Sequence, residues 1–196
     1  VSEAIGDGMI NRCSWCGDDP LYIDYHDQEW GVPLYEDAAL FECLTLEGAQ
    51  AGLSWITVLR KREGYRSAFD HFDYQKIAKY SDKKLDKLIG DESIIRNRLK
   101  IMSVRQNAIA FIQVQKEWGS FSNFIWRYVD NKPILRLDGE VPSSTKLSER
   151  ISKDLKRMGF KFVGSTIIYA FMQAAGLVND HSLNCFRYEE CQELHA

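Results

Sequence analysis

Residues 159–185, GFKFVGSTIIYAFMQAAGLVNDHSLNC, constrain the fold more than any other stretch of this chain. Gly159 and Gly164 bracket a tight turn, where glycine suits a positive φ or a close approach of two backbones. Ser165 is then expected to cap a helix, since its hydroxyl can accept a bond from an early amide. Apolar residues at helical spacing continue to Gly176, which predicts a helix with one apolar face.

An amphipathic run precedes this turn, and its apolar side consists of Leu147, Ile151, Leu155 and Met158. The pattern therefore predicts two helices joined by a short turn. Exposed backbone amides beside a helix N-terminus bind anions, most often phosphate. Nearby positive charge comes from Lys153, Lys156, Arg157 and Lys161. An ordinary helical hairpin with solvated lysines explains the same residues at least as well.

The rest of the chain also shows helical periodicity. Further helices are predicted over residues 37–52, 54–69 and 81–90, capped by Asp37, Ser54 and Ser81. The longest pattern runs from Ser93 to Trp118, with an apolar stripe of Ile95, Leu99, Met102, Ile109 and Ile112. Strict alternation is nearly absent, and one short strand is expected at 134–137. The fold class is therefore predicted to be all-α, with seven to nine helices.

Composition bounds the function. The chain has 196 residues, 45% hydrophobic and 27% charged, which is typical of a globular protein with one sizeable core. A net charge of −3 argues against coating nucleic acid by bulk charge, although a small basic face remains possible. No apolar run approaches the roughly 20 residues of a membrane span. Five cysteines without a secretory leader favour the reduced cytoplasm, where Cys and His clusters more often bind metal than form disulfides.

Two Cys and two His residues form a candidate metal site. His181 and Cys185 are four residues apart, so one helical turn would place both on one face. Cys13 and His26 form a looser pair near the N-terminus, and the four together make a Cys₂His₂ set suited to structural zinc. Cys16 is an alternative ligand, because Cys13-x-x-Cys16 is itself a pair. The competing interpretation is hydrogen-bonded loop histidines and cysteines that fill the core.

Aromatic residues and one carboxylate form a candidate binding site. Aromatic side chains can sandwich a flat heterocycle, and they cluster here as Trp15, Tyr22, Tyr25, Trp30 and Trp55. Such residues are more often core, which is the interpretation favoured for Trp30. Glu47 lies in LEGAQAGLSW, a small-residue helix end expected to be closely packed. A buried carboxylate needs a partner, which a ligand amino group would supply. A solvated glutamate is the alternative.

Three long segments resemble the type I 3-methyladenine DNA glycosylases: RCSWCGDDPLYIDYHDQEWGVP, LEGAQAGLSWITVLRKREGYRSAF and GFKFVGSTIIYAFMQAAGLVNDH. The resemblance covers residues 12–185, so one domain is expected over 12–186, with tails at 1–11 and 187–196. It implies the all-α helix-hairpin-helix glycosylase fold, whose members flip an alkylated base out of DNA and hydrolyse its glycosidic bond. It also implies one structural zinc joining the two ends of the chain, which makes Cys16 a bystander. The implied partners of a monomeric enzyme are alkylated double-stranded DNA and free 3-methyladenine as product, with no membrane.

The resemblance assigns roles residue by residue. Glu47 matches the carboxylate that accepts hydrogen bonds from the base. The matching aromatic residues of the base pocket are Tyr25, Trp15 and Trp55, and Tyr22 lies beside them. The residues that fall in the DNA-binding hairpin are Lys161, Gly164 and Ser165. The zinc ligands that match are Cys13, His26, His181 and Cys185.

Two positions near the hairpin bear on mechanism. Asp180 lies about where other members of the superfamily place a catalytic aspartate, but we expect it to cap the terminal helix instead. Thr166 stands where bifunctional members carry a Schiff-base lysine, so no strand-cleaving activity is expected. The competing function classes are a non-enzymatic DNA-binding module and a zinc hydrolase. A packed carboxylate beside tryptophans argues against the first, and four protein ligands argue against the second.

Overall fold

The computed structural model describes residues 10–136 and 141–194, and most of these residues are helical. The α-helices are α1 (Pro20–Gln28), α2 (Asp37–Gln50), α3 (Trp55–Leu59), α4 (Arg62–Ala68), α5 (Tyr74–Ile77), α6 (Asp82–Ile89), α7 (Arg98–Trp118), α8 (Phe121–Trp126), α9 (Lys146–Arg157), α10 (Ser165–Ala174) and α11 (Phe186–Glu193). The predicted all-α class is confirmed, although these helices outnumber the seven to nine expected, because several are a turn or two long. Within the described ranges no helix is both long and apolar enough to cross a membrane.

A two-residue parallel pairing is the only sheet in the described part of the chain. Strand β1 (Ile134–Leu135) pairs with β2 (Val178–Asn179), with Ile134 opposite Val178. This confirms the start of the predicted strand, whereas Leu137 lies outside the described residues. The partner strand was not predicted, because two residues are too few to show alternation.

Helix α7 lies at the centre of the core and packs against α2, α5, α6 and α8. The Phe111 ring on α7 lies 5.2 Å from that of Phe41 on α2 and 4.3 Å from that of Phe121 on α8. These ring contacts join three segments that are far apart in the sequence. The predicted helix at 37–52 and helix α8 therefore both pack on the longest helix.

The predicted buried face of α7 is wrong in part. Leu99 is 71% exposed and Ile109 is 47% exposed, although both belonged to the expected apolar stripe. The buried face carries Ile101, Val104 and Phe111 together with the polar residues Lys100, Ser103 and Asn107. Lys100 and Asn107 bind the backbones of other segments, so periodicity of apolar residues alone misplaces the stripe. The helix also begins at Arg98 rather than Ser93, because Asn97 caps it by accepting a bond from the Lys100 amide.

The predicted helix over 54–69 is two helices, α3 and α4, with a break after Leu59. Ser54 precedes α3, but its hydroxyl pairs with Thr57 Oγ1 at 2.7 Å and bonds no backbone amide. Gly64 explains where α4 lies, since a Cβ there would fall 2.2 Å from the Ser93 carbonyl oxygen. The second helix therefore approaches the segment before α7 more closely than any side chain would allow.

The turn between α9 and α10, residues 158–164, is called the hairpin turn below. Gly159 has φ +95° as expected, and Phe162 adopts φ +55°, which is unusual for a bulky residue. Gly164 has φ −62° and is the N-cap of α10, so a positive φ, one of the two reasons expected for glycine there, does not apply. The predicted Ser165 cap is also wrong, because Ser165 is the first residue of the helix.

Helix α10 connects the hairpin turn to the centre of the molecule by packing against both α9 and α2. It ends as predicted before Gly176, which has φ +74° and whose Cβ would fall 2.7 Å from the Pro33 nitrogen. Residues 186–193, part of which were expected to be a tail, form α11 and bury Tyr188 and Cys191.

Asp37 caps a helix other than the one predicted. The N-cap of α2 is Glu36, and Asp37 is the first helical residue. Its carboxylate instead accepts bonds from the Phe121 amide at 2.9 Å and the Ser122 amide at 2.8 Å. Gln115 Nε2 donates a third bond at 2.6 Å. Asp37 therefore fastens the start of α2 to the start of α8.

Replacing Asp37 with alanine is expected to lower the free energy of unfolding by about 1–2 kcal/mol, because two amides of α8 lose their acceptor. Urea unfolding monitored by circular dichroism measures this change. Glu36→Ala is the matched control, since Glu36 makes no side-chain capping bond, and its cost should stay within about 0.5 kcal/mol. Equal losses in the two variants would contradict the capping role.

Candidate functional site

The four predicted metal ligands come together at one buried point. Cys13, His26, His181 and Cys185 are each buried, and their ligand atoms lie within 4.8 Å of one another. Cys13 Sγ and Cys185 Sγ are each 3.5 Å from His181 Nδ1, and Cys185 Sγ is 3.5 Å from His26 Nε2. Tetrahedral zinc, with Zn–S bonds of about 2.3 Å and Zn–N bonds of about 2.0–2.1 Å, has S–N edges of about 3.5 Å. The geometry therefore fits a tetrahedral Zn²⁺.

The second ring nitrogen of each histidine has a partner outside the cluster. His181 Nε2 donates to the Trp30 carbonyl at 2.9 Å, which leaves Nδ1 free to face the two sulfur atoms. His26 Nδ1 lies 2.7 Å from Asp27 Oδ1, and Arg12 pairs with the same carboxylate. Burial alone would raise the pKa of the Cys13 thiol, but hydrogen bonds with His181 and His26 lower it to about 5. These contacts favour the tautomers and the thiolate that bind metal.

The local conformation of the cluster differs from the prediction. His181 and Cys185 do not lie on a helical turn. They flank a non-helical loop in which the Cys185 amide donates to Ser182 O at 2.7 Å, and α11 begins only after Cys185. Cys16 lies outside the cluster, and its thiol donates to the Cys13 carbonyl at 3.1 Å.

A cavity of about 440 Å³ lies beside this cluster. The predicted binding residues all line it, namely Trp15, Tyr22, Tyr25, Glu47 and Trp55. Trp30, interpreted from the sequence as core, is 9% exposed and lines the cavity as well. Residues of the cavity that were not predicted include Ser14, Gln50, Ala170, Gln173 and Ser182. The volume is that of a small-molecule site.

Glu47 is the least expected group for such a cavity, because its carboxylate is buried and no described residue supplies a countercharge. It is 3% exposed, which excludes the solvated alternative. Burial raises its pKa to about 8. Among the described residues Oε2 has no hydrogen-bond partner. A ligand that carries a donor, a positive charge or both would satisfy this oxygen.

Aromatic rings connect the cavity to the cluster. The Trp15 ring lies 5.0 Å from that of Tyr22 and 5.3 Å from that of His26. Trp30 meets the His181 ring edge to face at 4.6 Å. On the other side of the cavity, the rings of Tyr25 and Trp55 are 5.3 Å apart. The cluster of Cys13, His26, His181 and Cys185 therefore supports the aromatic walls that would enclose a flat ligand.

Asp180 does not cap a helix, so that prediction is wrong. It is 5% exposed and lines the cavity, and its Oδ2 accepts bonds from Tyr169 Oη at 2.7 Å and Gln173 Nε2 at 2.8 Å. Its Oδ1 lies 3.8 Å from Arg136 Nη1. Tyr169 and Gln173 are polar residues four apart on a helix that is otherwise apolar after Thr166. That spacing was the sequence signal for a shared buried partner.

The three predicted hairpin residues lie away from the cavity. Lys161 is exposed, Gly164 caps α10, and Ser165 begins it. A Cβ at Gly164 would meet no described atom within 4 Å, so its outer side is open to another molecule. The same helix reaches the cavity further along, through Ala170 and Gln173. Helix α10 therefore connects the hairpin turn, at its N-terminus, to the cavity.

The raised pKa of Glu47 predicts a pH dependence of stability. Glu47 has an ordinary pKa of 4.5 and a folded pKa of about 8, so its contribution to stability is complete below pH 4.5 and lost towards pH 8. Glutamine cannot ionise. The unfolding free energy of Glu47→Gln relative to wild type should therefore increase over this range, by at most about 1.4 kcal/mol per pKa unit, and then level off.

Urea unfolding of both proteins at a series of pH values measures that difference. Glu36→Gln is the control, since Glu36 is exposed, and its difference from wild type should stay flat. A flat difference for Glu47→Gln as well would contradict the raised pKa.

Comparisons with known proteins agree with this geometry. Residues 15–188 match the family described as methyladenine glycosylase. The chain is 49% identical to DNA-3-methyladenine glycosylase 1 of Escherichia coli (strain K12), covering 91% of this chain and 97% of the relative. It is 48% identical to DNA-3-methyladenine glycosylase of Haemophilus influenzae, covering 90% and 97%.

One similar crystal structure is a point variant of 3-methyladenine DNA glycosylase I in complex with 3-methyladenine. It is 37% identical with a TM-score of 0.87, and the match covers 90% of this chain and 97% of that one. The family match spans most of the chain, and the identity to the two bacterial enzymes far exceeds what a shared fold alone requires. The chain belongs to the methyladenine glycosylase family of enzymes.

Proposed function

We propose that this enzyme is a monofunctional DNA glycosylase that flips an alkylated nucleotide out of double-stranded DNA and hydrolytically releases 3-methyladenine. The observation that carries the proposal is Glu47, a buried carboxylate with an unpartnered oxygen in an aromatic cavity. The exocyclic amine of adenine is a donor that suits this oxygen. The wild-type test is incubation with methylated duplex DNA, with the released bases identified by chromatography.

Electrostatics favour an alkylated base over adenine. Methylation at N3 gives the purine of the nucleotide a positive charge, which the aromatic walls stabilise and which favours ionisation of Glu47 beside it. The methylated purine leaves as a neutral molecule, so the site needs no acid to protonate it. The enzyme must chiefly extrude the nucleotide, orient it and stabilise positive charge on the sugar.

Asp180 is the second carboxylate of the cavity, and we propose that it stabilises the positive charge that develops on the sugar of the flipped nucleotide. Tyr169 and Gln173 both donate to Oδ2 and orient the side chain. Its Oδ1 has no hydrogen-bond partner in the described part of the chain. A carboxylate held in place beside the sugar stabilises developing positive charge. Glu47 would then read the base while Asp180 acts on the sugar.

The helices α9 and α10 with the hairpin turn are proposed to be the helix-hairpin-helix unit that holds DNA. The N-terminus of α10 presents backbone amides to a phosphate, and the exposed Lys161 adds positive charge. The open side of Gly164 lets a DNA backbone approach closely. Thr166 is exposed on the first turn of α10, and a threonine cannot form a Schiff base, so strand cleavage is not expected.

We propose that one zinc ion per chain binds to Cys13, His26, His181 and Cys185. The S–N distances of 3.5 Å support this assignment, as do the partners of the outer histidine nitrogens. Four protein ligands leave no open position, which is typical of structural zinc. When bound, the ion supplies cross-linking between the N- and C-terminal segments and takes no part in the reaction.

The assignments of Glu47 and Asp180 predict different losses. Glu47→Gln places a donor opposite the amine of the base, so single-turnover release should fall about tenfold to a hundredfold, with weaker binding of free 3-methyladenine. Asp180→Asn should slow release while leaving the affinity for free 3-methyladenine unchanged. Tryptophan fluorescence measures that affinity. If Asp180→Asn weakened free-base binding while Glu47→Gln did not, the two roles would be reversed.

Lys161→Ala should weaken binding to duplexes of all sequences alike, because Lys161 faces phosphate rather than bases. The slope of log affinity against log salt should become shallower by up to about 0.9, the value for one phosphate contact. Lys83→Ala on α6 is the matched control, since Lys83 is also an exposed lysine but lies outside the hairpin turn. An unchanged slope for Lys161→Ala would rule out the hairpin assignment.

Cys185→Ala should lower both the bound zinc and the free energy of unfolding, since breaking a four-ligand site weakens the link between the chain ends. Elemental analysis and urea unfolding measure the two effects. Cys16→Ala is the matched control, because Cys16 is buried nearby but lies outside the cluster. Zinc retained in Cys185→Ala and lost in Cys16→Ala would show that the ligand set is wrong.

A further inference from the structure

Two buried polar side chains of α7 are not used by the proposed chemistry. Lys100 is 9% exposed and Asn107 is 5% exposed. They are seven residues apart, about two helical turns, and therefore lie on the same face of α7 about 10 Å from each other. Burying such groups costs free energy unless they are hydrogen-bonded. Both bond backbone atoms of segments that the proposed function uses, namely the end of the helix that carries Glu47 and the hairpin turn.

Lys100 fastens the end of the helix that carries Glu47. Its ammonium donates to the carbonyl of Ala49 at 2.8 Å and to that of Ala51 at 2.6 Å. These carbonyls lie at the C-terminus of α2, where the helix dipole favours a cation. Glu47 is only two residues before Ala49, so the position of the ammonium determines where this part of α2 lies.

Asn107 fastens the hairpin turn. Its Oδ1 accepts a bond from the Lys161 amide at 2.8 Å, and its Nδ2 donates to the Lys161 carbonyl at 3.0 Å. Two bonds from one planar amide fix both the position and the orientation of a backbone unit. Ser152 on α9 adds a bond to the Val163 carbonyl at 2.6 Å. The turn is therefore held from α7 as well as from α9.

The turn and the Glu47 helix also touch directly. A Cβ at Gly48, next to Glu47, would lie 3.4 Å from both Cβ and O of Phe162. Phe162 has φ +55°, a conformation that persists in a bulky residue only where its surroundings hold it. The space left among Gly48, Phe162, Lys100 and Asn107 is only about 10 Å³, so the contact is close.

We propose that α7 acts as a spacer that sets the distance between the DNA-binding hairpin turn and the base-reading carboxylate, with Asn107 and Lys100 as its two positioning residues. This inference rests on the proposed function, since it takes the turn as the phosphate contact and Glu47 as the base contact. Neither positioning residue touches the substrate. Each acts through the backbone that it holds.

Substitutions at the two residues should change two different affinities of the intact protein. Asn107→Ala should weaken binding to an undamaged duplex about tenfold and leave the affinity for free 3-methyladenine unchanged. Lys100→Met, which keeps the stem but removes the ammonium, should weaken free 3-methyladenine binding about tenfold and leave duplex binding unchanged. Both should slow single-turnover release. Fluorescence anisotropy of labelled duplex and tryptophan fluorescence measure the two affinities.

Matched controls break the same type of bond elsewhere. Asn123 Nδ2 donates to the Trp118 carbonyl at 3.1 Å, and Lys61 Nζ donates to the Glu92 carbonyl at 2.6 Å. Asn123→Ala and Lys61→Met should change neither affinity nor release. If Asn107→Ala does not fold, Asn107→Asp keeps the acceptor for the Lys161 amide. If Lys100→Met does not fold, Lys100→Gln replaces it.

The results distinguish this inference from the proposed function. A wild-type enzyme that releases no 3-methyladenine overturns the proposed function. If the wild type releases 3-methyladenine but the two affinities fall together in the variants, or do not fall at all, the spacer role of α7 is overturned and the proposed function stands. A purely structural role would move both affinities in proportion to lost stability, so thermal melting is measured for each variant. Separate losses support the spacer.

Discussion

Burial of the Glu47 carboxylate is the interaction on which the rest of this structure depends. A carboxylate with no countercharge in an aromatic cavity destabilises the fold, and burial alone accounts for its raised pKa. The surrounding structure must therefore hold α2 firmly. Lys100 binds the last carbonyls of that helix, and Phe162 packs against Gly48. A site that is strained before it binds anything is typical of binding and catalytic centres.

The histidine cluster contributes to the same site from the opposite side. His26 and His181 contact the rings of Trp15 and Trp30, which form part of the cavity wall. A bound metal there would hold residues from both ends of the chain together. Without it, the entropy cost of closing so long a loop opposes their approach. The cluster, the cavity and the hairpin turn are thus connected through α10 and the aromatic rings. Changes at one are expected to reach the others through packing.

Several errors of the sequence analysis share one cause. Asp37 and Asp180 were both assigned to the nearest helix terminus, because short polar residues often cap helices locally. Asp37 instead binds amides 84 and 85 residues away, and Asp180 binds side chains of α10. Lys100 and Asn107 were missed because polar residues in a helix normally face solvent. Their backbone partners lie 51 and 54 residues away along the chain.

The amino-acid sequence by itself determined the helical class, the two helices around the hairpin turn, the four Cys and His residues of the cluster and five residues that line the cavity. Helical periodicity and the glycines that end helices act over a few residues, and the family resemblance rests on long motifs. Both kinds of information are present in the sequence without coordinates. Only the tertiary structure decided which face of α7 is buried, where Asp180 points and which backbones Lys100 and Asn107 hold. These features depend on hydrogen bonds between segments distant in sequence, and local patterns contain no information about such partners.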